Sequence, residues 1–245
     1  MPRFFVSRDD IQDNTVKIYG DDAHHISYSL RMAVGDEITV CDGEGGEYTC
    51  TLARLDGKEV EADIVCKETS KKESPVEITL YQAYPKGDKL ETIIQKAVEL
   101  GAVRIVPFES ERCIKRPKGD KIEKQKERMN RIAAEAAKQC GRAVLPTVSA
   151  PMSFEDAIRS AKESELSIFC YEDCHTQSLR ATLEKSGKGV RTISLIVGCE
   201  GGFSESEAKA IEERGIVPVT LGERILRCET APLFALSCIA YFYEL

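Results

Sequence analysis

Two glycine-bearing turns in the last third of the chain, each between an apolar strand pattern and a helix pattern, most limit what this sequence can fold into. The first follows the apolar run ending at Val197 and reads Gly198-Cys199-Glu200-Gly201-Gly202-Phe203-Ser204. The second follows Val217-Pro218-Val219-Thr220-Leu221 and runs from Gly222 through Ile225, Leu226 and Arg227 to Thr230 and Ala231. Open α/β sheets bind ligands beyond the carboxyl ends of their strands, and two bare-backbone turns at neighbouring strand ends make room for one. Taken singly, either turn could be purely structural; the pair favours a site.

Phosphate is a poor ligand for these turns. The dinucleotide fingerprint requires a second glycine where this chain has Glu200, and no Gly-Lys-Ser/Thr loop is present. Glu200 would also stand where a pyrophosphate places its charge, and like charges repel at that range. A carboxylate there suits ribose hydroxyls or a positively charged ligand. S-adenosylmethionine has both and carries no phosphate.

The pattern along the chain divides near residue 70. Residues 1–66 read as short strands, at Val16–Tyr19, Glu37–Cys41, Glu47–Leu55 and Glu59–Cys66, with one helix around Asp22–Met32. That suggests a compact β-barrel. A wholly polar stretch from Lys67 to Pro75 is the best domain boundary. Beyond it strands and helices alternate, which predicts an α/β fold with a mostly parallel sheet and helices on both faces. Expected strands are Glu77–Ala83, Val103–Phe108, Leu166–Tyr171, Thr192–Val197 and Val217–Leu221. Expected helices are Lys89–Leu100, Lys121–Cys140, Phe154–Lys162, Gln177–Lys185, Ser204–Arg214 and Ala231–Leu245. Ser204 with Glu207 three residues on forms a capping box for the helix Ser204–Arg214. The last helix is apolar nearly all round, so it must be buried in its own core or against a partner.

Several motifs occur in order and at matching spacing. They are Met1-Pro2-Arg3-Phe4-Phe5-Val6, His24-His25 followed by Leu30-Arg31, Lys86-Gly87-Asp88-Lys89, Lys96 through Gly101, and Glu135 through Arg142. With the two glycine turns they cover nearly the whole length, and together they resemble the SPOUT methyltransferases. More closely, the chain resembles the RsmE family, which methylates N3 of a uridine in bacterial small-subunit (16S) rRNA. It departs at Cys199, where the family usually has proline, at Cys228, where it usually has threonine, and at Lys138, where it often has glutamate. The resemblance implies a PUA-like β-barrel RNA-binding domain over residues 1–70. It also implies a SPOUT-type domain over residues 75–245, with a C-terminal trefoil knot around the cofactor site, and a homodimer.

The resemblance also assigns residues. Gly198, Glu200, Gly201, Gly202, Leu221, Gly222, Ile225, Leu226, Thr230 and Ala231 become the cradle for S-adenosylmethionine. Uracil N3 lies between two carbonyls and carries a proton, so transfer must stabilise charge developing on the carbonyl oxygens. Arginine donors do this well, and Arg3, Arg31 and Arg227 are the candidates for that catalytic task. No general base stands out; His24 and His25 have a suitable intrinsic pKa, yet adjacent helical residues face different ways and a structural role is the simpler reading of each.

Net charge is −7, which argues against RNA until its distribution is considered. From Arg112 to Arg142 there are eleven Lys/Arg against four Asp/Glu, leaving the remainder at −14. A basic block in an acidic protein is the pattern of phosphate binding on one face, the alternative being a solvated helix whose lysines only keep it soluble. Lys121, Lys124 and Arg128 are the expected phosphate contacts. Glu135, Gln139 and Arg142 recur at i, i+4 and i+7, a stripe facing either RNA or the cofactor domain. The expected partner is 16S rRNA or the small ribosomal subunit, with a paired uridine flipped out to react.

The ten cysteines are scattered without a Cys-x-x-Cys pair, which reads as reduced thiols in a cytoplasmic protein. Cys170, Cys174 and His175 are too few for a four-ligand metal site, so no metal is expected. No apolar run approaches membrane-spanning length. Competing readings are a SPOUT enzyme acting on another rRNA site or on tRNA, and a catalytically silent RNA-binding module; the intact glycines disfavour the second.

Overall fold

The computed structural model describes every residue except 115–118, 120 and 173–176. Chain contacts gather into two compact units, residues 1–73 with 137–145, and residues 74–136 with 146–245.

The first unit is a curled, barrel-like six-stranded sheet. Its strands are β1 (Arg3–Phe5), β2 (Ile11–Gln12), β3 (Thr15–Tyr19), β4 (Glu37–Cys41), β5 (Gly46–Leu55) and β6 (Glu59–Thr69), in the order β1-β4-β5-β6-β3-β2. Pairing is antiparallel apart from β1, which runs parallel to β4. Alternating side chains of β5 and β6 turn inward, as period-two patterning requires. Register shifts between Thr49 and Cys50 and between Leu52 and Arg54 mark bulges, which bend and twist a strand. Val16, Ile18, Ile26, Ile38, Val40 and Leu52 belong to its core.

The helix expected around Asp22–Met32 is shorter and only partly α-helical. Helix α1 (Gly20–His24) passes into a π-turn at His25–Ser29, and Arg31 then takes a left-handed backbone with φ 51°. Strand β1 carried no periodic signal because three residues are too few to show one.

The second unit is a parallel sheet of seven strands: β7 (Glu77–Ala83), β8 (Ala102–Glu109), β9 (Thr147–Val148), β10 (Met152–Ser153), β11 (Leu166–Cys170), β12 (Thr192–Val197) and β13 (Val217–Val219). The order is β10-β8-β7-β12-β11-β13, with β9 also on β8. Central β12 is buried along nearly its whole length, the pattern of a strand covered on both faces. The helices are α2 (Lys89–Glu99), α3 (Lys121–Cys140), α4 (Phe154–Ala161), α5 (Leu179–Ser186), α6 (Glu205–Glu213) and α7 (Ala231–Glu244). Ser204 caps α6 with both halves of the expected capping box in place. Chain order reverses between β7 and β12, the switch point at which open α/β sheets bind ligands. Among the described residues no helix is long and apolar enough to cross a membrane.

Candidate active site

The first glycine turn leaves β12 and folds back on itself. Gly202 has φ 63°, its amide donates to Cys199 O at 3.0 Å, and a Cβ on Gly198 would sit 3.1 Å from Gly202 Cα. From behind, fully buried Gln82 at the end of β7 donates its Nε2 to Gly198 O at 3.1 Å. The second turn begins earlier than its apolar run suggested, because β13 stops at Val219 and Thr220 instead donates its amide to Gln177 O at 2.9 Å. Gly222, at φ 114°, opens the loop that returns to α7.

Between these turns and the end of β11 lies a cavity of about 430 Å³, within the range of small-molecule sites. Gly198, Glu200, Gly202, Leu221, Gly222, Ile225, Leu226 and Ala231 line it, as expected of the cofactor set, and Arg227 lines it too. Gly201 and Thr230 are outside the lining. A Cβ on Gly201 would come within 3.0 Å of Arg112 Cβ, and Arg112 Nη1 donates to Gly201 O at 2.6 Å, so this glycine accommodates a neighbour. Thr230 is at the N-cap of α7 but makes no side-chain cap bond.

Sequence reasoning did not assign Lys89, Tyr171, Glu172, Phe203 and Arg224 to this wall. Lys89 had a signal in its motif near the end of β7. Tyr171 and Glu172 follow β11, which no local pattern connects to the glycine turns.

Backbone groups of two turns, apolar Leu221, Leu226 and Phe203, and several carboxylates suit a phosphate-free nucleoside joined to an amino acid. Of the lining cations Lys89, Arg224 and Arg227, Lys89 is already neutralised. Its Nζ is 3.0 Å from Glu200 and 3.1 Å from Glu229. Those bonds, to Glu200 first and Glu229 second, raise its pKa. Burial works to raise the Glu200 carboxyl, but its own amide, Lys89 and the Lys86 amide outweigh burial and hold it below the ordinary value. Burial, with the bond to Glu229 next, pushes the Cys228 thiol up to about 12.

Cys199 fits the space at the turn. It is buried, with its sulfur 3.8 Å from Ser110 Oγ, and Cys113 shares that hydroxyl at 3.2 Å. The hydrogen bond from Cys113 holds the Cys199 thiol below the usual thiol value against the opposing effect of burial. Cys174 and His175 lie outside the described residues. Among the described residues no group of three or more His, Cys, Asp or Glu is gathered as a metal set.

The remaining candidates are dispersed. Arg3 and Arg31 belong to the first unit. The Arg3 guanidinium, with its side chain only 8% exposed, donates to both Glu47 oxygens at 3.0 Å and to Cys41 Sγ at 2.8 Å. Arg31 is exposed on its left-handed backbone. His24 packs against Tyr28 with ring centroids 4.7 Å apart, and His25 meets the edge of Phe4.

Along α3, Lys121, Lys124, Glu135 and Gln139 are exposed, and exposed Arg128 reaches Glu91 at 2.9 Å. Arg142 corrects the expectation placed on it. It lies beyond the end of α3, is 3% exposed, and is bound to Glu73 within the first unit, so its guanidinium does not present itself to a phosphate. Lys138, one of the departures from the resemblance, bonds Asp22 at 2.8 Å and lies over the Phe4 ring.

Comparison with known proteins agrees with this geometry. Residues 72–240 match the RNA methyltransferase domain family, and residues 18–65 match the PUA domain of RNA methyltransferases. The chain is 35% identical over 252 aligned positions to ribosomal RNA small subunit methyltransferase E of Bacillus subtilis, covering 100% of this chain and 98% of that one. The crystal structure of ribosomal RNA small subunit methyltransferase E from Neisseria gonorrhoeae bound to S-adenosyl methionine superposes with a TM-score of 0.87 at 32% identity, covering 99% and 98% of the two chains. A putative methyltransferase from Legionella pneumophila in complex with the same cofactor gives 0.86 at 30% identity, covering 98% and 96%.

Proposed function

Because this chain belongs to the ribosomal RNA small subunit methyltransferase E family, whose S-adenosylmethionine-dependent activity on small-subunit rRNA it shares, we propose that it methylates N3 of one uridine, and does so on assembled 30S subunits in the cytoplasm. The observation that carries the reading is Arg227, an exposed guanidinium on the wall of a cavity built from two glycine turns.

Bound in this cavity, S-adenosylmethionine supplies an electrophilic methyl on a sulfonium. The residues around it must hold the donor, align the acceptor nitrogen and manage charge. The backbones of Gly198, Gly202, Leu221 and Leu226 supply the hydrogen-bonding edge, and Leu226 and Ala231 the apolar contact. Arg227, with its fixed fork of donors, stabilises charge building on a uracil carbonyl as the N3 proton departs. Arg31 is retained as a second candidate on the barrel. Arg3 is assigned to holding β1 on the sheet, since Glu47 and Cys41 already take its donors.

Residues 1–70 are assigned to a PUA-like RNA-binding domain and 75–245 to the methyltransferase domain, whose cofactor loop is read as knotted. Lys121, Lys124 and Arg128 are assigned to phosphates, and Glu135 and Gln139, further along α3, to the RNA-facing stripe. A homodimer is supported by α7, which buries Leu236 and Ile239 yet leaves Tyr241 73% exposed and Phe234 39% exposed.

The test incubates small subunits from cells lacking this activity with pure protein and S-adenosylmethionine, followed by reverse transcription along the rRNA. A methyl on N3 blocks pairing, so one new strong stop opposite a uridine is expected. Methyl incorporation without such a stop would overturn the N3 assignment and move the reaction to another atom or RNA.

A further inference from the structure

Lys89 is the first residue of α2 and faces both cofactor turns at once. Its Nζ lies 3.0 Å from Glu200 Oε1 in the first turn and 3.1 Å from Glu229 Oε2 in the second. The turns lie about thirty residues apart in sequence and are not joined by a strand pairing. Two residues before α2's N-cap, Lys86 donates its amide to both Glu200 oxygens, at 3.0 and 3.3 Å.

This arrangement changes the role expected of Glu200. A carboxylate has about four acceptor positions. Here they are drawn on by the Lys86 amide, the Lys89 ammonium and Glu200's own amide. The carboxylate is therefore committed to the protein, and its effect on the ligand passes through the backbone it fixes. Glu229 is held in the same way, by Lys89, its own amide and the Cys228 thiol at 3.2 Å.

We infer that Lys89 is a positioning residue for the methyl donor: its ammonium, shared between Glu200 and Glu229, ties the two cofactor turns into one rigid cradle. The inference rests only on S-adenosylmethionine as the cofactor, so its failure would leave the N3 reading untouched.

The side chains are a quarter to two-fifths exposed, so solvent screens each pair and the effect is moderate. Calorimetric titration of S-adenosylmethionine into the purified full-length protein reads it without RNA. K89M is expected to raise the dissociation constant about five- to thirtyfold. K89R keeps the charge and is expected to restore most of that loss. E229Q removes one arm and is expected to give a smaller loss, and the K89M/E229Q double variant is expected to be no weaker than K89M alone, because both act through one contact. Thermal unfolding of each variant separates local from global effects. Wild-type affinity in K89M, equal weakness of K89R and K89M, or additive losses in the double variant would each overturn the inference.

Discussion

The guanidinium of Arg142 donates to the carboxylate of Glu73 from Nε at 3.0 Å, with Nη2 at 2.8 Å from the same oxygen. The other Glu73 oxygen accepts the amides of Ala143 and Val144 at 2.8 and 3.0 Å. Glu73 thus organises the turn that follows α3, although it sits in a stretch whose composition signals a linker. Removing it takes a carboxylate from a buried guanidinium and the acceptor from two amides. E73A is expected to destabilise the first unit by about 3–5 kcal/mol, the scale for breaking a buried pair from one side. Denaturant unfolding of the full chain measures it. A loss below about 1 kcal/mol would mean that water replaces the carboxylate.

The parts of the fold legible in the sequence are those where one periodicity runs long enough to dominate. Lys121–Cys140 is a sustained amphipathic helix and Thr192–Val197 a mostly apolar strand, and both occupy the expected bounds. The Ser204–Glu207 cap was legible because it is wholly local. Strand β1 was not, since its structure comes from β4, far along the chain. The glycine turns identified the cavity, yet residue type could not separate Gly202, which lines it, from Gly201, which accommodates Arg112. Nor could spacing show that Arg142 in the basic block is buried, because its partner Glu73 lies outside any local window.

The Arg3–Glu47 pair gives the barrel a defined acid response. The two hydrogen bonds from Arg3 hold the Glu47 carboxyl below its ordinary value of 4.5, with burial opposing them. A carboxyl depressed in the folded state contributes stability fully above its unfolded value, and that contribution is lost as pH falls through the folded value. E47Q is therefore expected to lower stability at pH 7 by about 1–2 kcal/mol. It is also expected to flatten the fall in stability below pH 4.5. Chemical denaturation at a series of pH values tests both, and an unchanged acid slope would locate the response elsewhere.

Gly198 has no room for a side chain, since a Cβ would meet the Gly202 Cα at 3.1 Å and its carbonyl carbon at 3.2 Å. Both are backbone atoms, so the turn itself must shift. G198A is expected to cost about 1–3 kcal/mol of stability, as overpacking does. A loss of S-adenosylmethionine affinity of at least tenfold is expected alongside it. Calorimetry and thermal unfolding on the same preparation separate the two effects. Unimpaired cofactor binding would show that the turn's folded-back shape is dispensable.

Exposed Lys121 and Lys124 head α3, the helix assigned to phosphate contact. Each phosphate neutralised by a lysine releases condensed counterions, so binding depends on salt with a slope near 0.7–0.9 per contact. The double variant K121Q/K124Q is expected to weaken small-subunit binding and reduce that slope by roughly 1.5, with cofactor affinity unchanged. Filter binding between low and moderate salt reads the slope directly. An unaltered slope would return these lysines to the role of solvated surface charge.

Arg227 lines the cofactor cavity and is exposed, whereas Arg3 is committed to Glu47 and Cys41. A free guanidinium beside a methyl donor can act on the acceptor or on the donor, and the two roles separate kinetically. If it stabilises charge on the uracil carbonyl, R227A removes one preorganised donor, an effect of about 10²–10³ in rate at saturating cofactor. The dissociation constant for S-adenosylmethionine would then be unchanged. R227K keeps the charge but loses the planar fork, and is expected to recover only part of the rate. Single-turnover methylation of small subunits, paired with calorimetry, distinguishes the roles. A cofactor affinity that falls in step with rate would make Arg227 part of the donor's cradle and leave Arg31 as the remaining candidate for the carbonyl.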